Sequence, residues 1–505
     1  MREMPSALLP KDAQPRDCGN WLLPLGCAAY ALAYAVLSVR RFAFFSAGID
    51  LSYYIRIVYG LAHGQLDVPL VASPNLLGLH LEPILVPFAL LYRLGFPIAP
   101  LLLVAQAIAV GLLPWPVFRV AKRLLHDRQA ALCCAFGSLL YPTVTVATLH
   151  DFHPVTVALP FVAAFLDALH EGATPSARRR AWLFGLLALS CREDIALQLA
   201  FTLTAFAVAE QDRHRRKVQL LVAALLVAYF GVYILWIQPR YLSAVGSYSL
   251  HFGALGSAGP AGSVRSGRDL LFLLLQRPGF FLRSLATWER LRYVLELLWP
   301  LGFLPVLGWR FAVGALPVVA VNFLSAFPRV RSIESHYTTA MVPFLLIGAV
   351  AGLGACWGHG AAVRSLARVC TNRFLSRMVR GAVASRCCAR PRVQTGLAIG
   401  LLLLCSHVLA GASPLALLGT RFSWSAFGFG LGATQKAQVA ALAAAVARVP
   451  HGVSVAARPG ALAHLADRRR SISPPEYDDG LPVDVVLTED ATPKGQLRIG
   501  GQTVR

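Results

Sequence analysis

The feature that most constrains this chain is a succession of apolar segments that alternate with short clusters of arginine. A membrane-spanning helix needs about 20 mostly apolar residues, and several of the segments reach that length. Across the chain, 56% of the residues are hydrophobic and 14% are charged, whereas ordinary soluble domains are about 25% charged. We therefore predict an all-α polytopic membrane protein with about 11–13 transmembrane helices. The apolar segments lie near residues 20–39, 83–95, 97–118, 130–149, 154–169, 181–209, 218–237, 293–309, 311–326, 337–356 and 396–412.

The basic residues predict the orientation of these helices. A net charge of +22 on 505 residues would by itself suggest a nucleic-acid partner. However, four clusters between apolar segments carry net charges of +3, +2, +2 and +8, and cytoplasmic loops of membrane proteins are enriched in Lys and Arg. We therefore expect no nucleic acid as a partner, and we expect membrane lipids to surround the chain. The clusters lie at residues 119–128, 171–180, 210–217 and 357–395.

With those clusters on the cytoplasmic side, the chain is predicted to contain three parts. Residues 1–19 form a cytoplasmic N-terminus, and residues 20–412 form a transmembrane domain that includes an Arg-rich cytoplasmic loop at 357–395. The residues before the first apolar run are polar and mixed in charge, unlike a cleavable signal, so we expect the run to be retained as a membrane helix. Segment 181–209 begins and ends at basic clusters, and its charged break at 192–194 predicts a hairpin of two short helices.

The third part, residues 413–505, has a different pattern. Apolar and polar residues alternate at 453–455 and at 483–487, which predicts strands, whereas helical spacing appears at 434–448 and 460–466. The tail is therefore predicted to be a small α/β domain, and the positions of the basic clusters place it on the extracytoplasmic side.

Polar and charged residues collect at the predicted outer ends of the helices, where arginine is normally scarce. Ionisable groups at a membrane are costly and are usually functional. Arginine beside carboxylates and histidines is the composition of a pocket that holds a phosphate next to a general base. The sequence therefore predicts a site for an anionic, lipid-linked ligand at the outer membrane boundary. Its candidate residues are Asp50, His80, Glu82, Asp151, His153, Arg192, Glu193, Asp194, Arg329, Arg331, His336 and Tyr337.

The sequence alone leaves a structural alternative for each of these groups. Asp50 is also a residue type that favours the N-cap of a helix. The segment 150–154 offers histidine and aspartate at a spacing suited to Zn²⁺ or Mn²⁺, or else forms a hydrogen-bonded turn before a proline. The acids of 192–194 can pair with the arginine beside them, and Arg329 and Arg331 can anchor lipid headgroups.

Several short motifs carry a family resemblance. In their order and spacing they resemble the DUF2079 type of bacterial and archaeal membrane proteins, which are similar to the GT-C superfamily of polyprenyl-phosphate-dependent glycosyltransferases. The resemblance covers roughly residues 42–490. The motifs read IDLSYYIR at 49–56, HG at 63–64, HLEP at 80–83, DFHP at 151–154, RED at 192–194, HY at 336–337 and HLADR at 464–468.

The resemblance implies a GT-C-like fold and an inverting transfer of a sugar from a polyprenyl-phosphate donor to an acceptor hydroxyl. Asp50 would be the catalytic base, and the phosphate would lie near Arg329 or Arg331 and near His336. The other candidate residues would orient the sugar or acceptor, or would hold a divalent ion, Mg²⁺ or Mn²⁺, with Asp151 and His153 as its candidate ligands. A bacterial member would lie in the inner membrane, with its N-terminus inside and its C-terminal domain outside.

Three positions depart from the family pattern, which leaves rival functions open. Ser52 stands where the family has glycine, and Ile55 and Leu79 stand where it has aspartate. A non-catalytic protein that keeps the fold is therefore one alternative. A flippase or transporter of a lipid-linked substrate is another, but such proteins usually place polar residues at the membrane midplane and contain inverted repeats. The sequence shows neither feature clearly, so an enzyme is favoured.

Overall fold

The computed structural model of the chain is mostly helical. The structure describes residues 21–70, 73–172, 174–241, 251–252, 264, 266–276, 278–279, 287–333, 335–357, 400, 403–405, 407–408, 424–468, 471–472, 484–487, 497–499 and 502–504. The predicted cytoplasmic N-terminus 1–19 and the Arg-rich loop 357–395 therefore lie, apart from Trp357, outside the described residues.

The helices and strands are numbered in chain order. The α-helices are α1 Leu22–Ala43, α2 Ile49–Ala62, α3 Leu85–Arg93, α4 Ile98–Gly111, α5 Pro114–Leu125, α6 Arg128–Leu140, α7 Pro142–Leu149, α8 Pro154–Glu171, α9 Pro175–Cys191, α10 Ile195–Ala209, α11 Arg213–Val232, α12 Gln238–Tyr241, α13 Gly267–Gln276, α14 Trp288–Leu298, α15 Leu304–Leu307, α16 Trp309–Ala312, α17 Leu316–Leu324, α18 Val342–Trp357, α19 Ala433–Arg448 and α20 Pro459–Leu462. The strands are β1 Asp67–Leu70, β2 Ser73–Asn75, β3 Val455–Ala457, β4 Ser471–Ile472, β5 Val485–Leu487, β6 Leu497–Ile499 and β7 Gln502–Val504. Short 3₁₀ turns include Leu76–Gly78 and His336–Met341, and a π-helical turn follows α11 at Tyr233–Ile237.

The helical part has the character of a membrane protein, as predicted. Among the described residues, five helical stretches have the length and apolar composition needed to cross a membrane, and a bent pair would make a sixth. The bent pair is α6 and α7, which meet at 50°, where Pro142 begins the second helix and breaks the helical hydrogen-bonding pattern. The prediction of about 11–13 transmembrane helices covers the whole chain, and that number stays a prediction. The five stretches are Leu22–Ala43, Ile98–Leu125, Pro154–Glu171, Arg213–Tyr241 and His336–Ala355.

Helix α8 has two chemically different ends. At its C-terminal end, Arg119 and Arg123 pair with Asp167 and Glu171, and Arg180 also pairs with Glu171. The helix has 18 residues, so its two ends lie about 27 Å apart at a rise of about 1.5 Å per residue. That length is close to the hydrocarbon thickness of a bilayer. The basic network and the turn that precedes α8 therefore lie at opposite ends of one candidate span.

The charged break predicted at 192–194 separates two helices in the structure. Helix α9 ends at Cys191 and α10 begins at Ile195, so the break lies where the sequence placed it. The segment 83–95, too short for a simple span, forms the nine-residue helix α3.

The tail combines helices with a small sheet. Its strand order is β4-β3-β5-β6-β7, with β3 parallel to β4 and β5, and the last two pairs antiparallel. Helix α19 and the strands β3 and β5 fall where the apolar patterns predicted helix and strand. Val455, Leu465, Val485 and Leu487 are among the residues of its own apolar core.

Candidate functional site

The turn between α7 and α8 is held by one buried amide. Gln106 projects from α4 and is fully buried. Its Nε2 donates to the backbone carbonyl of Asp151 at 3.0 Å, and its Oε1 accepts the backbone N–H of His153 at 2.8 Å. A side chain that satisfies both a donor and an acceptor of the same turn restricts that turn to one backbone conformation. The side chains at 150–153 are therefore presented from a rigid support.

The carboxylate of Asp151 joins that turn to the first two helices. It is 1% exposed and lies 3.1 Å from Arg41 Nη1 at the end of α1. It also accepts the backbone N–H of Gly48 at 2.8 Å and that of Leu51 at 3.4 Å, at the start of α2. These N–H groups have no partner within their own helix, so the carboxylate satisfies them as a cap does. Asp151 is therefore engaged by protein groups on both of its oxygens.

Three imidazoles and one carboxylate come together beside this turn. We call Asp50, His150, His153 and His336 the histidine cluster, because one ligand atom from each lies within 4.8 Å of all the others. His153 Nε2 lies 3.4 Å from Asp50 Oδ2, and the rings of His153 and His336 stack at 4.2 Å. The Asp50 side chain is 35% exposed, and His150 and His336 are also partly exposed, so solvent or a ligand can reach the cluster. Imidazole nitrogens and a carboxylate oxygen at this separation form a donor set for a divalent metal ion.

A second polar cluster lies at the break between α9 and α10. Glu193 is buried, and its two oxygens accept from His80 Nδ1 and from the backbone N–H of Leu81, each at 2.9 Å. Arg192 pairs with Asp194 through two hydrogen bonds, of 2.7 and 2.5 Å. The loop carrying His80 is therefore fixed to the break, and the arginine of the RED motif is paired with its own neighbour.

Tyr54 connects the two clusters. Its ring lies edge-on to the ring of His153 at 5.8 Å, and its hydroxyl donates to Glu82 Oε1 at 3.2 Å. Glu82 is buried. Burial raises the pKa of Glu82 to about 7, with a further upward contribution from Glu193, although the charges of His80 and Arg192 act in the opposite direction. Glu82 is therefore a carboxyl group that exchanges its proton near neutral pH.

Four helical segments begin at these clusters. Asp50 lies in the first turn of α2, and His153 immediately precedes α8. Asp194 immediately precedes α10, and His336 begins the 3₁₀ turn that leads into α18. A helix N-terminus carries unpaired N–H groups and a partial positive charge. Their convergence makes this end of the helical domain electrostatically favourable for an anion.

The loop between α17 and the 3₁₀ turn at His336, which we call the late loop, contributes one accessible guanidinium. Arg331 donates to the backbone carbonyls of Ser325 and Asn322 and is only 8% exposed. Arg329 is exposed, and its guanidinium lies 5.9 Å from the ring of Phe327. The hydroxyl of Tyr337 lies within electrostatic reach of Asp50, Arg192 and Arg329. Of the two arginines, Arg329 is therefore the one available to a ligand.

The candidates named from the sequence thus fall into different structural situations. Asp50, His153 and His336 meet in the histidine cluster, whereas Asp151 lies beneath it as a structural anchor. The sequence named His150 only as part of a possible Zn²⁺ or Mn²⁺ site at 150–154, and the structure brings it into the histidine cluster. Gln106 was missed from the sequence, although a search for uncharged polar residues inside apolar segments would have found it.

Comparison with known proteins supplies a family and several structural similarities. The family described as "Predicted membrane protein (DUF2079)" matches residues 40–380. No curated protein matches the sequence. ArnT from Cupriavidus metallidurans bound to undecaprenyl phosphate is similar at 15% identity and a TM-score of 0.48, covering 90% of this chain and 86% of that one. The same ArnT in the apo state is similar at 14% identity and a TM-score of 0.44, covering 90% of this chain and 86% of that one. An Archaeoglobus fulgidus oligosaccharyltransferase in complex with Zn and sulfate is similar at 12% identity and a TM-score of 0.36, covering 88% of this chain and 62% of that one.

The two aspartates should differ in their effect on stability. Asp151→Asn removes the charge that pairs with buried Arg41, so we expect a loss of about 3–5 kcal/mol in the free energy of unfolding. Asp50→Asn changes a partly exposed group, so we expect a change within about 1 kcal/mol. Thermal unfolding of both variants in detergent measures the difference. Equal destabilisation would contradict the assignment of Asp151 as the anchor.

Glu82 should make stability depend on pH. Its pKa rises from an ordinary 4.5 to about 7 in the folded chain, so the folded state binds this proton more tightly than the unfolded state does. Stability from this group is therefore lost as pH rises from about 4.5 to about 7, by at most about 1.4 kcal/mol per pH unit. Unfolding of the wild type and of Glu82→Gln across this range measures the effect. The fall in stability should be smaller in Glu82→Gln than in the wild type. Glu296→Gln, which changes a partly exposed carboxylate paired with Arg292, should behave as the wild type does.

Proposed function

The chain belongs to the DUF2079 family of predicted membrane proteins, and from this premise we propose that it is a GT-C-like glycosyltransferase. It would move a sugar from a polyprenyl-phosphate donor to an acceptor hydroxyl at the extracytoplasmic face of the bacterial inner membrane. The observation that carries the proposal is the position of Asp50, a partly exposed carboxylate at the point where α2, α8 and the 3₁₀ turn that leads into α18 begin. The family resemblance of the motifs supplies the substrate class.

Asp50 is suited to the role of catalytic base. One of its oxygens faces His153, and the second oxygen of the carboxylate can accept a proton. As the acceptor hydroxyl attacks the anomeric carbon, its proton passes to Asp50, and the bond from that carbon to the phosphate oxygen breaks. The polyprenyl phosphate then leaves with the bonding electron pair, and the configuration at the anomeric carbon is inverted. Removing the proton during attack makes the hydroxyl a stronger nucleophile.

The phosphate of the donor would bind where the helix N-termini meet. Backbone N–H groups and the positive ends of the helix dipoles favour an anion there. Arg329 supplies an exposed guanidinium within electrostatic reach of the same Tyr337 hydroxyl that Asp50 reaches. Arg331 would act indirectly, because its guanidinium is committed to backbone carbonyls. The second polar cluster would hold sugar or acceptor hydroxyls through Glu82 and the partly exposed His80.

The histidine cluster fits a divalent transition metal. Its donors are three imidazole nitrogens and one carboxylate oxygen. Imidazole suits Zn²⁺ and related ions, whereas Mg²⁺ prefers oxygen ligands, so Zn²⁺ or Mn²⁺ fits better than Mg²⁺. Within the described residues the buried Nδ1 of His153 makes no hydrogen bond, so this ring is not committed to another protein group through that atom. A bound ion would supply positive charge beside the leaving phosphate.

Sugar transfer tests the assignment of the base. Inner membranes are prepared from a host that lacks its own copy of the gene and expresses the wild-type chain. These membranes should transfer label from a radiolabelled polyprenyl-phosphate sugar to an acceptor. Asp50→Asn should reduce the rate by about 100-fold or more, because general-base catalysis typically contributes that factor. Glu296→Gln, on the surface helix α14, is the matched carboxylate control and should retain the wild-type rate. Unchanged transfer by Asp50→Asn would refute Asp50 as the base. Passage of the intact labelled lipid across the membrane without transfer would favour a flippase.

Metal binding by the purified, chelator-treated protein tests the histidine cluster. Calorimetric titration should show Zn²⁺ or Mn²⁺ binding more tightly than Mg²⁺. His153→Ala and His336→Ala should each weaken binding by about tenfold or more, since each removes one ligand. His63→Ala removes an exposed imidazole that contacts Tyr59 and should leave affinity unchanged. The same affinity in all three variants would show that the metal binds elsewhere.

A further inference from the structure

The HLADR motif of the tail contacts the helical domain through its histidine. The ring of His464 lies between two aromatic rings, stacked on Phe42 at 4.0 Å and tilted against Phe45 at 4.2 Å. Its Nε2 lies 2.9 Å from the backbone carbonyl oxygen of Phe42. A carbonyl can only accept, so His464 donates through Nε2. The arginine of the motif has a separate task, because Arg468 donates to the carbonyl of Val449 at the end of α19.

The loop held by His464 has an unusual backbone conformation. Phe45 has a φ of +56°, in the left-handed region that bulky residues seldom occupy. Such a conformation persists where surrounding contacts impose it. Those contacts come from the tail: Phe45 packs against the tail's apolar core, and Gly460 approaches it closely. A Cβ at position 460 would lie 2.1 Å from the Phe45 carbonyl oxygen, so only glycine permits this approach.

The same loop leads directly into the start of α2. Gly48 is held by Asp151 from the helical domain, and Ser52 Oγ donates to the carbonyl oxygen of Pro459 in the tail at 3.4 Å. Asp50 lies between these two attachments. The tail therefore fixes the chain on both sides of Asp50, while Asp151 fixes it from beneath.

We propose that the tail is a positioning element for Asp50, and that His464 is the residue through which it acts. Within the described part of the chain, His464 touches no member of the histidine cluster, and it acts through the loop 44–48. Its donor bond and ring stack hold Phe42 and Phe45 so that α2 begins with Asp50 facing His153. The expected effect of His464 on metal binding and catalysis rests on the proposed function. Its expected effect on the conformation of the loop 44–48 does not.

Amide hydrogen exchange over residues 44–52 tests the positioning role directly. In the full-length protein in detergent, His464→Ala should speed exchange at Gly48 and Leu51 by about fivefold, in the range expected for loss of one hydrogen bond. His464→Gln should restore most of the protection, because its side-chain N–H can donate to Phe42. Val455→Ala, which creates a cavity within the tail's own apolar core, is the control for general loosening of the tail.

The outcomes separate the positioning role from a general structural one. Faster exchange in His464→Ala alone, with rescue by glutamine, supports the proposal. Exchange unchanged from the wild type overturns it, and so does equal acceleration by Val455→Ala. Titration with Zn²⁺ gives a second readout, in which His464→Ala should weaken binding and Val455→Ala should not. If the wild type binds no metal, the metal assignment fails, but the exchange result still decides the role of His464.

Discussion

The arrangement of the site depends on one buried carboxylate, that of Asp151. It pairs with Arg41 at the end of α1 and accepts N–H groups at the start of α2, while its own backbone is held by Gln106 of α4. Burying a charge is costly unless it is paired and hydrogen-bonded, so this carboxylate is stable only where all of these elements meet. Asp50 and the imidazole of His153 take their positions from that meeting point.

The electrostatics of the helical domain follow from the same geometry. Helix N-termini gather at the histidine cluster, and the paired arginines lie at the far end of α8. Basic residues at a cytoplasmic boundary are expected from the positive-inside rule, so we expect the clustered N-termini at the opposite boundary. Under the proposed function, the end that attracts an anion would face away from the cytoplasm, where a lipid-linked phosphate would approach along the helices.

The sequence predicted the helical membrane character, the break at 192–194 and the mixed tail, because each is encoded in a local pattern of apolar and charged residues. It could not assign separate duties to Asp151 and Asp50, since that distinction depends on contacts between residues about one hundred positions apart. Gln106 was missed for a related reason, because a single amide side chain within an apolar helix forms no sequence pattern that would predict its contacts. The number of spans is also hard to predict, because prolines such as Pro142 divide apolar segments into helices too short to cross a membrane alone.

The spacing within the DFHP motif explains how anchoring and chemistry are combined. Asp151 contacts Gly48, and His153 contacts Asp50, so a separation of two residues in the turn matches a separation of two at the start of α2. Phe152, between them, is fully buried and packs edge-on against Tyr54. The motif therefore sets α2 in register with the turn: any shift that frees Asp151 from Gly48 also moves Asp50 away from His153.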